Sequence, residues 1–173
     1  MATVKVLQIV GYKNSGKTTL LLQLLQQAQH HKKVVATIKH HGHNSELEMP
    51  NAYTDSMRQF SAGAACAIAY GNGMIQLHQR QPGATLDELI ALAYNKKPEI
   101  ILVEGFKEAN YEKIVLLDSQ DDWTTLQNLH HIRLVLSKKV LELDKVPLIL
   151  QNDSKQIESW FTNWMDGDSG ESI

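Results

Sequence analysis

Gly11, Gly16, Lys17 and Thr18 stand at the spacing G-x-x-x-x-G-K-[ST], and these residue types at that spacing hold phosphate. Glycines at both ends open backbone turns in which successive N–H groups, those of Asn14 and Ser15 among them, point at one anion at the positive end of a helix. Lys17 is spaced to reach the outer phosphates of a nucleoside triphosphate. Thr18 offers a hard oxygen to Mg²⁺, and Thr19 continues the phosphate-binding turn.

A second group surrounds this loop. Glu104 follows the apolar run Ile100-Ile101-Leu102-Val103, where a Walker B carboxylate belongs; it can hold Mg²⁺ through water, orient an attacking water, or simply end a strand at the surface. Lys17 and Glu104 are therefore the catalytic candidates, and Thr18 and Glu104 the metal-ligand candidates. Lys39, His40, His41 and His43 cluster after a β-branched segment. Lys39 and His40 read as nucleotide or substrate contacts, while the histidines also fit a solvated loop or a transition-metal site. Asp55 and Arg58 lie further on, beyond a polar stretch with Gly42 and Pro50 that is long for a connection in a compact domain.

The elements that must position these residues follow from periodicity. Lys5 to Val10 predicts a strand before the phosphate loop, and Leu20, Leu21, Leu24, Leu25 and Ala28 recur at helical spacing after it. Val34 to Lys39 predicts the second strand of a right-handed βαβ unit. A short helix is expected over Asp55 to Gly63. Ala67 to Tyr70 and Met74 to His78 flank Gly71-Asn72-Gly73 as a hairpin. Thr85 and Glu88 stand at capping-box spacing before a helix that runs through Ala93 and stops ahead of Pro98. Ile100 to Val103, Ile114 to Leu117, Ile132 to Leu136 and Leu148 to Leu150 predict strands, and Ser154 to Met165 a closing helix. The fold class is α/β of the P-loop NTPase kind, a mostly parallel sheet flanked by helices with an inserted β-hairpin. Residues 1–165 read as a single nucleotide-binding domain and 166–173 as a flexible tail.

Composition agrees with a globular domain: 173 residues, 43% hydrophobic and 21% charged. A net charge of -2 gives no general attraction for nucleic acid, and the apolar runs are too short to span a membrane. The N-terminus carries no signal-peptide pattern, so the expected compartment is cytoplasmic. Cys66 lies among small apolar residues, where cysteine behaves as a small hydrophobe, and is expected to be a structural thiol rather than a nucleophile.

Taken together, Gly11 to Thr18 with Thr19-Leu20, Ile38-Lys39-His40-His41-Gly42-His43, Pro50 with Thr54-Asp55-Ser56, Arg58 with Ala62-Gly63-Ala64, and Leu102-Val103-Glu104-Gly105-Phe106-Lys107 followed by Lys113 to Leu116 resemble the MobB family of molybdopterin-guanine dinucleotide biosynthesis adaptors. The resemblance implies binding of GTP with Mg²⁺, weak GTPase activity and a homodimer. It also implies partnership with a MobA-type molybdopterin guanylyltransferase and its molybdopterin or molybdenum cofactor. By position it assigns Asp55 and Arg58 to the family's polar site. Two features depart from the family pattern: Asn51 and Thr54 replace a glycine and a lysine, and Ser137-Lys138 stands where the family has Ser-Asp. No N-K-x-D guanine signature is present, and Asn95-Lys96-Lys97-Pro98 reads as a helix stop. Competing readings are a small-molecule kinase or ATP-dependent ligase with Asp55 as base, and a GTPase metallochaperone using His40, His41 and His43.

Overall fold

The computed structural model describes residues 4–42 and 47–167. Along the chain run β1 (Lys5–Gly11), α1 (Lys17–His30), β2 (Val35–Lys39), α2 (Asp55–Ser61), β3 (Cys66–Gly71), β4 (Met74–Gln79), α3 (Leu86–Ala93), β5 (Ile100–Glu104), β6 (Glu112–Leu117), α4 (Gln120–Leu126), β7 (Ile132–Ser137), β8 (Leu148–Leu150) and α5 (Ser154–Asp166). They form two compact units, one of Met1–His40 with Leu86–Ile173 and the other of His41–Thr85.

The first unit is built on a six-stranded parallel sheet in the order β2-β5-β1-β6-β7-β8. β1 lies where the order reverses, and in such sheets the crevice beyond the carboxyl ends at that point receives the ligand. The strand pattern explains why both faces are covered. Leu7 and Ile9 of β1, with Leu102 and Ile114, pack on one face against Leu20 and Leu24 of α1 and Ile157 and Phe161 of α5. The alternate residues Val10, Val115 and Val135 pack on the other against Trp123 and Leu126 of α4. Ile101 and Val103 meet Leu86 and Ile90 of α3. A period of two in the strands thus selects which helix each residue meets.

The α4 helix is absent from the sequence reading. It is a single short segment with one capping box, in which Ser119 accepts from the Asp122 N–H while Asp122 Oδ2 accepts from the Ser119 N–H. Aspartate replaces the usual glutamate or glutamine at the third position, which hid the signal. Otherwise the expected elements form, with ends shifted by a residue or two.

In the second unit, β3 and β4 pair antiparallel through Asn72-Gly73, both at positive φ. Met57 and Phe60 of α2 pack on Ala67. Cys66 corrects its expectation: the thiol residue is exposed, because alternation along β3 buries Ala67 and turns Cys66, Ile68 and Tyr70 to the other face. Among the described residues no helix is long and apolar enough to cross a membrane. His43 lies outside the described residues, as does the tail from 168 onward.

Candidate functional site

The phosphate loop leaves β1 at Gly11, packed closely against the neighbouring strand. A Cβ there would stand 2.8 Å from both Leu116 O and Ser15 Oγ, so any larger residue would push the loop off β6. Asn14 and Gly16 take positive φ of 64° and 96° on either side of Ser15. That alternation turns successive N–H groups inward to make an anion-binding nest. Gly16 is the N-cap of α1 and supplies no side-chain cap, which leaves the first N–H groups of the helix open to a ligand. Ser15 is buried, with an Oγ that has no protein partner.

Side chains close the site on the β5 side. Parallel pairing sets Glu104 level with Ile9 of β1 and Lys39 of β2, at the carboxyl ends of three adjacent strands. Thr18 Oγ1 donates to Glu104 Oε2 at 2.8 Å, and Lys39 Nζ lies 3.3 Å from Glu104 Oε1. Both carboxylate oxygens are thereby engaged. Since the Thr18 hydroxyl spends its proton on Glu104, its lone pairs face outward, the arrangement a hard cation requires.

Lys17 Nζ donates to Tyr12 O at 2.6 Å. Burial lowers the pKa of this ammonium; Glu104 pulls it back up and Lys39 pushes it further down. Two cations and one carboxylate are thus drawn together at the mouth of an N–H-lined loop, a charge distribution suited to a polyphosphate with a divalent cation.

The turn after Glu104 is held from beneath. Gly105 (φ 97°) packs so closely on β2 that a Cβ would lie 3.0 Å from His40 Cβ. The His40 N–H donates to Glu104 O at 2.9 Å, and its ring stacks on Phe106 at 4.4 Å. Here His40 supports the turn rather than a metal, and among the described residues no three His, Cys, Asp or Glu side chains gather as a metal group.

Two buried polar residues that the sequence reading passed over complete the support. Gln8 of β1 donates through Nε2 to Gly105 O (3.0 Å) and Phe106 O (2.6 Å). Its register partner Lys113 of β6 donates to Ala109 O (2.5 Å) and Tyr111 O (2.7 Å). Both side chains are 0% exposed. Together they pin the carbonyls of the connection that carries Glu104. The available signal was a lone glutamine inside Val6-Leu7-Gln8-Ile9-Val10, since an isolated polar residue in a buried strand needs a buried partner.

Burial pushes Lys113 down from 10.5 to about 8. Between those values the unfolded chain holds a proton that the native state has released, so stability rises with pH across the window, by up to about 3 kcal/mol. Denaturant midpoints of Lys113→Met should lack this rise; an identical pH slope in both proteins would remove Lys113 from the account.

Thr19 is exposed in the first turn of α1. Asp55 and Arg58 stand on α2 of the second unit with 3.8 Å between Oδ1 and Nη1, both largely exposed. Ser137 is buried at the end of β7, and Lys138 Nζ lies 2.6 Å from Asp118 Oδ1.

The chain is similar to known proteins in sequence and in fold. The family model described as Molybdopterin guanine dinucleotide synthesis protein B (MobB) matches residues 6–138. A probable molybdopterin-guanine dinucleotide biosynthesis adapter protein of Bacillus subtilis is 35% identical over 134 residues, covering 78% of this chain and 77% of the relative. The adapter protein of Haemophilus influenzae is 30% identical over 166 residues, covering 94% and 90%. Among solved structures, a MobB protein homolog from Bacillus stearothermophilus superposes with a TM-score of 0.77 at 33% identity, covering 93% and 97%. Bacillus subtilis MobB gives 0.78 at 29% identity, covering 91% and 96%.

Proposed function

The chain belongs to the molybdopterin guanine dinucleotide synthesis protein B (MobB) family, and from that premise we propose that it is the adapter that brings Mg²⁺ and GTP to molybdopterin guanylylation. The single observation that carries the nucleotide reading is the Thr18–Glu104–Lys39 array beside the loop nest. Gly11 to Thr19 would hold the phosphates, with the partnerless Ser15 hydroxyl and the open N–H groups of α1 as donors. Thr18 and Glu104 fit Mg²⁺, which bound there would neutralise charge on the outer phosphates. Lys17, which donates to Tyr12 O, and Lys39, which pairs with Glu104, would supply positive charge to those oxygens.

Hydrolysis is slow in this reading. The outer phosphates meet lysines, while Arg133 of the same unit donates to Glu112 Oε1 at 2.8 Å, at the opposite, amino-terminal edge of the sheet. Rapid phosphoryl transfer needs an arginine or a water-positioning residue at the γ-phosphate. The protein acts mainly by binding, in the cytoplasm, beside a MobA-type guanylyltransferase.

The test is reconstitution. Adding the protein to purified guanylyltransferase, molybdopterin and Mg²⁺-GTP should raise the yield of guanylylated cofactor, and Lys17→Ala should not. Equal yields with and without the wild type, and no comigration with the enzyme, would contradict the adapter role.

The hairpin supports a second copy as a further partner. Ile68 pairs with Leu77 and Tyr70 with Ile75 on the face opposite α2, and these side chains are 66%, 44%, 76% and 65% exposed. A two-stranded ribbon with an apolar face and free edges is self-complementary across a two-fold axis. Light scattering should report twice 19.5 kDa for the wild type and a single copy for Ile68→Asp. A wild type that stays monomeric at every concentration would exclude this contact.

A further inference from the structure

The sequence lacks a guanine signature, and its Ser137-Lys138 replaces the expected acid with a base. The fold restores an acid from another strand. Glu104 and Lys39 set the outer-phosphate end of the ligand on the β5 and β2 side of the loop. The nucleoside end must then run the other way, over β6, β7 and β8. Register pairs Leu117 with Ser137 and Ser137 with Leu150, so the next residues, Asp118, Lys138 and Gln151, share one rim of the sheet.

We propose that Asp118 and Lys138 read the base of the nucleotide, with the Asp118 carboxylate accepting from the N1–H and 2-amino group of guanine and the Lys138 ammonium donating to O6. The assignment rests on the GTP reading above. Their ion pair, 2.6 Å between Nζ and Oδ1, puts an acceptor beside a donor, the order in which the guanine edge presents N1–H beside O6. Adenine presents an acceptor at N1 and a donor at N6, and so meets like with like on both atoms.

Both side chains are partly open to solvent, 57% for Lys138 and 40% for Asp118, whose Oδ1 at the ion pair is itself buried. Their backbones are fixed. The Asp118 and Ser119 N–H groups both donate to Asp122 Oδ2, and buried Ser137 accepts the Lys139 N–H on Oγ. A second observation points to a ligand on this rim: Gln151 Nε2 is buried without a protein partner, and Gln151 Oε1 lies 3.9 Å from where a Cβ on Gly16 would be. Gln151 thus adjoins the phosphate nest on the same rim of the sheet that carries the ion pair. Glu142 and Asp144, the acids of the loop before β8, are both exposed.

Dissociation constants for GTP, ITP, ATP and XTP in Mg²⁺, measured on wild type, Asp118→Asn and Lys138→Met, test the assignment. The wild type should prefer GTP, with ITP weaker because it lacks the 2-amino group. Asp118→Asn should weaken GTP about ten- to hundredfold and strengthen XTP, whose C2 carbonyl accepts from the new amide. Lys138→Met should narrow the preference for GTP over ATP without gaining XTP. A GTP preference left unchanged in both variants would overturn the base-reading assignment while leaving GTP binding intact. A wild type that prefers ATP, or binds neither nucleotide, would overturn the GTP reading and this assignment with it.

Discussion

Lys17→Ala is expected to weaken nucleotide binding about 10²–10⁴-fold while leaving the fold in place. The native ammonium donates to a single protein acceptor, Tyr12 O, and burial already disfavours its charged form. Removing it therefore costs the free protein little. In the complex the same ammonium would make two charge-assisted hydrogen bonds to phosphate oxygens, each contributing about 1.5–3 kcal/mol in a partly desolvated site. Losing both corresponds to the stated factor. Calorimetric titration reads the affinity and thermal unfolding the fold. A variant that binds as the wild type does would place the phosphates elsewhere.

Glu104→Ala should divide binding by its dependence on metal. With Mg²⁺ present, affinity for the triphosphate should fall roughly ten- to hundredfold, about 1.4–3 kcal/mol, because the carboxylate that holds Thr18 at 2.8 Å is gone. Without Mg²⁺ the sign reverses. Glu104 then only repels phosphate and occupies Lys39, 3.3 Å away, so its removal should leave affinity equal to or above that of the wild type. Titrations with Mg²⁺ and with chelator separate the two effects. Equal losses in both conditions would make Glu104 a structural residue of the turn rather than part of a metal site.

Much of this was readable from residues alone, for a physical reason: the phosphate loop is a local structure. Its glycines, lysine and threonine are contiguous, and the flanking strand and helix carry their own periodicities, so Gly11 to Thr18 and α1 form as expected. Glu104 was legible as the end of a fully buried strand. The contacts that assemble the site are another matter, because they depend on strand order. Nothing in the chain says that β5 inserts between β1 and β2, yet that insertion brings Lys39 and Thr18 to one carboxylate. Gln8 and Lys113 are separated by about a hundred residues and act together only because β1 and β6 pair in register. Asp118 was invisible for the same reason: its partner Lys138 belongs to the next strand. Cys66 misled because composition around it is apolar, whereas in a two-stranded ribbon alternation decides exposure.

The central claim is that the Gly11–Thr18 loop, with Glu104, holds Mg²⁺-GTP. Its most direct test is calorimetric titration of the wild-type protein with GTP and with ATP, each with and without Mg²⁺. The account predicts one GTP per chain, bound more tightly with Mg²⁺ than without, and weaker binding of ATP. Tight ATP binding with GTP ignored, or GTP affinity indifferent to Mg²⁺, would contradict it.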